Sequence, residues 1–219
     1  MPPKRPVVAP HLSPLTLGHL EPGSAADLQT GDDVEALEIE GVAVERLDLT
    51  GVTIRESRLV ALAAGEAELR SARLLETRIE RPNIPVLRGA RGSWYDVVLE
   101  GGRIGASELY DSSWRSVHVV GCKLGYVNLR GAHLRDVMFT DCTIDELDLV
   151  QAKLDRVAFA DTTVGRLDVR EARLTDVDLR GAELDGIDGV ASLRGATIDG
   201  HQLVRLAPLL AREVGLRVE

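Results

Sequence analysis

Few residues in this chain have the types or spacing for chemistry. Five histidines, His11, His19, His118, His133 and His201, are scattered over 219 residues, and the two cysteines, Cys122 and Cys142, stand apart from them. The sequence contains no phosphate-binding loop, dinucleotide fingerprint or paired metal-ligand motif. No carboxylate or cysteine shares an obvious site with both His118 and His133, so both read as solvated surface side chains. Two thiols are too few for a disulfide framework and suit a reducing compartment. Each reads better as a small buried hydrophobe than as a redox or metal group. Trp94 and Trp114 are either a ligand platform or, as their spacing favours, a stacked pair in a core. The expectation is a protein with no catalytic residue, no cofactor and no metal.

Charge is the remaining functional signal. The chain carries 35 acidic and 26 basic residues, a formal net charge of -9. That excludes general nucleic-acid binding, which needs a basic surface, and permits binding to a basic one. Residues 141–190 hold 13 acidic and 6 basic residues, whereas residues 81–140 are net basic. No apolar run is long enough to cross a bilayer, and the opening MPPKRPVVAP lacks the apolar core of a secretory signal. A soluble, cytoplasmic protein is expected.

The elements that must position these groups follow from an internal repeat. Every fifth residue from Ile39 to Leu184 is large and apolar, apart from Ala64 and Gly89. A period of five fits neither the helix nor the flat strand, so the chain must turn at short regular intervals. Two residues before each of these sits a second series, reading Val117, Cys122, Val127, Ala132, Val137, Cys142, Leu147, Ala152, Val157, Thr162, Leu167, Ala172, Val177, Ala182. Larger and smaller side chains alternate in it without exception. Such alternation requires an even number of repeats per coil, so that like stacks on like in a close-packed interior.

The units Val-Asn-Leu-Arg-Gly (127–131), Ala-His-Leu-Arg-Asp (132–136), Leu-Asp-Leu-Val-Gln (147–151) and Val-Asp-Leu-Arg-Gly (177–181) resemble the pentapeptide-repeat family. The resemblance implies an all-β fold, a right-handed quadrilateral parallel β-helix with four repeats per coil over residues 34–199. Residues twenty apart then stack: Val117 with Val137, Val157 and Val177, Val127 with Leu147, Leu167 and Ile187, Cys122 with Cys142, and Trp94 with Trp114. Each coil touches only its neighbours, so both ends need caps.

Residues 1–33 are rich in proline and lack the period. They read as an extended, mobile arm that in part caps the first coil, with Leu15, Leu17 and Leu20 available to pack there. The stretch 82–94, with Pro82, Pro85, Gly89 and Gly92, is expected to be irregular, as a distorted coil or a bulging loop. After Leu184 the register slips by one, to Leu193 and Ile198. Asp199 then reads as a helix N-cap. Leu203, Leu206, Leu209 and Leu210 form an apolar stripe at helical spacing, in a C-terminal helical cap over 200–219 that Pro208 should split in two. The stripe is a lid, a homodimer interface, or both.

In the family the residue before each central one points outward. Asp148, Asp168 and Asp188 would align in one such column, and Asp141 and Asp161 in a corner column. Together they are the candidate acidic partner-binding face, set against the reading of an ordinary mixed, solvated surface. Resemblance to the quinolone-resistance members implies a B-DNA mimic that acts on DNA gyrase or topoisomerase IV, protecting against quinolones or toxins, and that pairs through its C-terminal segment. The alternative is a protein-interaction scaffold of the same fold. Either way the expected partner is a protein, with no direct nucleic-acid or membrane contact.

Overall fold

The computed structural model describes residues 6–217; Pro2 and Pro3 of the expected arm, like the last two residues of the expected cap, lie outside them. The chain winds as a right-handed parallel β-solenoid closed by a single C-terminal helix. Its strands stack coil upon coil into a 12-stranded and an 8-stranded sheet. The twenty-residue register holds as the four-repeat coil of the family resemblance implies: Val117, Val137, Val157 and Val177 pair in succession on one wall, and Val127, Leu147, Leu167 and Ile187 on another. Trp94 stacks on Trp114 with ring centroids 4.5 Å apart, and Phe139 on Phe159 at 5.1 Å.

Every central residue from Leu49 to Leu184 is buried, and so is every smaller residue two places before it. The small series is also where the interior satisfies its backbone. The Thr162 hydroxyl accepts from the Cys142 amide at 3.3 Å and donates to the Ala160 carbonyl at 2.9 Å. The Cys122 thiol does the same between Gly102 N and Val120 O. Both cysteines are buried and free, and contact with the Cys142 thiol together with burial pushes the Cys122 thiol up. Small polar side chains are therefore compatible with this core because each one closes a hydrogen bond that the turning backbone leaves open.

The coil is square but its corners are not alike. Between His133 and Ala152 the backbone enters the left-handed region at Asp136, Asp141 and Gln151, with φ of 56°, 52° and 59°. The fourth corner, at Glu146, stays extended inside the strand Thr143–Asp148. Glycine relieves the left-handed strain at some of these corners, for example Gly131 at φ 65°. At the extended corner the constraint is different. A Cβ on Gly165 would lie 2.7 Å from the Asp145 carbonyl oxygen of the coil below, so only glycine permits that approach.

Three features differ from the sequence expectation. Residues 82–94 are regular: the strand Asn83–Arg88 keeps register with both neighbours. Pro82 occupies an inward position and Pro85 falls at the gap in the ladder opposite Gly105, so neither proline removes a ladder hydrogen bond. Parallel pairing begins before the period does, with the strand Glu21–Gly23 against Leu37–Glu40, and Leu28 rather than the arm leucines seals the core at that end. Val44 is 36% exposed although it sits in the central series, because its strand is the first of the 8-stranded sheet and has no coil beneath it.

At the other end the register slips to a spacing of nineteen, with Val177 opposite Ala196. Asp199 caps the helix Gly200–Glu213 in a reciprocal capping box with Gln202. The helix is not split: Pro208 lies within it, on the exposed side, where the lost amide bond is not buried. Leu206 is buried in the core cluster, Leu209 and Leu210 pack partly against it, and Leu203 is half exposed. Gln202 donates its side-chain amide to the carbonyls of Leu179 and Ala182, at 2.6 and 2.7 Å, terminating the last coil's open edge.

Two outcomes follow for chemical denaturation. Ile144→Ala, at a fully buried central position, should destabilise by about 2–5 kcal/mol, whereas Val44→Ala in the same column should stay within about 0.5 kcal/mol. Gln202→Leu should lose roughly 1–3 kcal/mol, because two buried carbonyls lose their donor.

Candidate protein-interaction surface

The outward positions are set by the same turn chemistry as the inward ones. The residue before a central leucine or valine often accepts, through its side chain, the amide two residues on. Asp48 accepts from Thr50, Asn128 from Arg130, Asp148 from Val150 and Asp168 from Arg170, all at 3.0–3.1 Å. These are Asx turns, which hold the corner. A carboxylate or carboxamide at this position is therefore placed for folding before it is available to any partner.

The second carboxylate oxygen of each aspartate is also engaged. Asp148 is only 2% exposed; Arg130 donates to it at 2.6 Å and the Tyr126 hydroxyl at 3.1 Å. Asp168 is 4% exposed and is gripped by Arg170, whose guanidinium holds its carboxyl below the usual carboxylate range. Asp188 is more open but pairs with Arg166 at 2.7 Å. This column is consequently close to neutral, and its field is damped at source.

Asp141 and Asp161 are different. They stand at a left-handed corner of successive coils, both exposed, and neither takes part in a salt bridge among the described residues. The five aspartates expected to act as one face thus divide into an exposed corner pair and an arginine-neutralised column on another side of the rod. What extends the exposed pair is a set of residues the periodicity did not single out: Asp145, Glu183 and Asp185, all exposed, on the side next to that corner. Asp145 and Asp185 flank Gly165 at twenty-residue steps, and counting that column would have found them. An open cleft of about 510 Å³ continues this surface to the helix, lined among others by Asp161, Arg180, Glu183, Asp199, His201 and Arg205.

The opposite side of the square carries the reverse sign. His133, Lys153 and Arg173 lie in register on successive coils, all exposed, with Arg115 and Arg135 beside them. The rod is therefore polar across its section, acidic at the Asp141–Asp161 corner and basic behind it. No group of three or more metal-ligating side chains occurs among the described residues.

Square coils with a central apolar residue every fifth position, an Asx-turn residue before it and parallel stacking agree with a direct match over part of the chain. Residues 112–188 match the pentapeptide repeat region model. Over those residues the chain is a pentapeptide repeat region. No curated protein matches it. Among solved structures, trypsin-treated QnrB1, a plasmid-mediated fluoroquinolone resistance protein, is 13% identical, with 93% of this chain and 100% of that one covered at a TM-score of 0.39. HetL, a pentapeptide-repeat protein involved in heterocyst differentiation regulation from the cyanobacterium Nostoc sp. strain PCC 7120, is 16% identical over 77% of this chain and 90% of that one, with a TM-score of 0.32. No helix of the structure is long and apolar enough to cross a membrane.

The titrating groups of the repeat rod give its stability a two-step pH profile. Burial pushes His118 down from its ordinary value. The unfolded chain therefore takes up that proton first, and stability falls once pH drops below about 6.5. Asp136, Asp168 and Asp178 are lowered by Arg156, Arg170 and Arg180, and Glu80 by Arg58. Their contribution is complete above about pH 4.5 and is lost as pH falls through their folded values. Urea midpoints measured across pH should show both declines, and His118→Gln should abolish only the upper one.

Proposed function

We propose that this protein is a non-catalytic binding rod that presents the acidic corner and adjoining side of its last coils to a basic surface on a protein partner. The observation that carries this reading is the contrast between the two aspartate groups. Asp148 and Asp168 are buried and neutralised, whereas Asp141 and Asp161, with Asp145 and Glu183 beside them, are exposed and outside the salt-bridge network. Carboxylates repeated at the coil spacing of ~4.8 Å on a rigid wall give a directional field that a flexible tail of the same charge would not. The rod contacts its partner with one side only, because the opposite side bears His133, Lys153 and Arg173.

Duplex mimicry on DNA gyrase or topoisomerase IV is the specific form of this reading that the family resemblance suggests. A basic DNA-binding saddle attracts an ordered row of negative charge by the electrostatics that attract phosphates. One-sided charge favours a scaffold that docks on an edge of a partner over a full mimic, which needs acid on every side that meets the saddle. Pairing of two rods through Leu203 and the C-terminal helix belongs to the same proposal.

Gyrase supercoiling with the purified protein, at low and moderate salt, separates the two. A mimic inhibits at micromolar protein or protects against ciprofloxacin, weakens as salt rises, and loses its effect in the Asp141→Lys, Asp161→Lys double variant. Absence of any effect would sink mimicry and leave the edge-docking scaffold. Equal activity of the double variant would place the working surface elsewhere on the rod.

A further inference from the structure

Residues 6–20 form no regular element, yet they do not hang free. The arm runs lengthwise along one corner of the rod, against the order of the coils. The amide of Val8 donates to Asp176 at 3.2 Å, that of His11 to Asp136 at 2.9 Å, and that of Ser13 to the Ser116 hydroxyl at 3.0 Å. All three acceptors are corner residues of positive φ, which turns their side chains outward in one line. The corner between the first two is Arg156, whose guanidinium folds onto Asp136 at 2.6 Å.

The spacing is commensurate. An extended chain advances ~3.3 Å per residue and stacked strands lie ~4.8 Å apart, so three residues match two coils. Val8 and His11 are three residues apart, and Asp176 and Asp136 two coils apart. Pro10 falls between two donors and Pro14 directly after the last, at positions where no amide is needed, and both favour the extended conformation.

An independent observation lies in the column beside this corner. It reads Glu38, Arg58, Arg78, Val98, His118, Met138, Ala158, Asp178. The position faces outward throughout, yet it is charged at both ends and free of formal charge from Val98 to Ala158, the middle of the arm's path. Val98, His118 and Met138 are half buried and Ala158 is buried. Leu12, Pro14 and Leu15 line a hollow of about 340 Å³ with Val98 and His118, and Arg78, Asp96 and Glu100 also line it. A row of acceptors and a neighbouring apolar strip, both in register with the coils, make a groove rather than an accidental contact.

We infer that this corner is a binding groove for an extended, proline-containing peptide with amide donors at positions i, i+3 and i+5, and that the chain's own residues 6–20 are its resident ligand. The hold is exchangeable. None of residues 6–20 is fully buried, and the three bonds go to side chains, so the arm joins neither sheet before Glu21. A second peptide of the same pattern competes against the high local concentration of a tethered arm. The groove is independent of the acidic corner used above, being built from different residues.

The test uses the full chain, with a site for a specific protease inserted at Gly18, where no neighbouring atom lies within 4 Å of an added Cβ. After folding and cleavage, the arm fragment should co-elute with the rod at high protein concentration and separate on dilution. A fluorescent synthetic peptide of residues 6–18 should then rebind saturably, and Ser116→Ala with Met138→Asp should weaken it about tenfold or more, a change equivalent to about 1.4 kcal/mol. Separation of the fragment at every concentration, with the circular dichroism of the rod unchanged, would overturn the groove, as would equal binding by the variant. Should cleavage unfold the rod, hydrogen exchange on the uncut chain decides: the amides of Val8, His11 and Ser13 should be protected and those of Ala9 and Leu12 not, and uniform exchange along the arm overturns the inference.

Discussion

The interior of a twenty-residue square coil is narrow, and side chains from all four walls must share it. Large residues on two walls, such as Val137 and Leu147, leave room only for Cys142 and Ala152 on the others. Because each coil rests on the one before, the same volume limit applies at every level, and aromatic rings enter only as stacked pairs that hand the same shape upward. Close packing at native density does the rest: a void or an oversized side chain in one coil is felt by both neighbours. The alternation of sizes, the flat ladders and the rigidity of the rod are consequences of this one restriction.

The same geometry governs the surface. A chain that turns four times in twenty residues leaves corner amides and carbonyls without ladder partners, and short polar side chains supply them. Aspartate before the central residue serves that need first, which is why Asp148 and Asp168 are buried. Arginines two residues on or one coil away complete the pairing. Negative charge reaches solvent where the side chain is released from capping, at left-handed corners such as Asp141 and Asp161 and at the neighbouring strand positions Asp145, Glu183 and Asp185. The acidic composition of the last coils thus overstates the acidic surface, and the part left over is concentrated on one corner and the side beside it.

Capping follows from the open ends of such a stack. At the first coil Leu28 closes the core, and at the last the helix supplies Leu206 for the apolar interior and Gln202 for the backbone edge. Pro208 does not interrupt that helix because the side facing the rod is carried by residues 202, 206, 209 and 210. The arm adds a third kind of closure, along the length of the rod instead of across its ends, and it links coils that otherwise touch only their neighbours.

The sequence by itself determined which residues form the interior: a strict five-residue period with alternating sizes requires a turning chain with an even number of repeats per coil, and with the four repeats that the resemblance implies, Val117 stacks over Val137 and Trp94 over Trp114. The family resemblance supplied the four-sided coil, and Asp199 announced the helix cap. Only the tertiary structure decided how the surface is used. Arg130 meets Asp148 from eighteen residues away, Arg166 meets Asp188 across a coil, and His11 meets Asp136 from the far end of the chain. Periodicity specifies which residues face outward, but the direction of a long side chain and the path of an aperiodic arm depend on contacts between coils and segments distant in sequence. Neutralised and exposed carboxylates look identical in the repeat, and only their neighbours in space separate them.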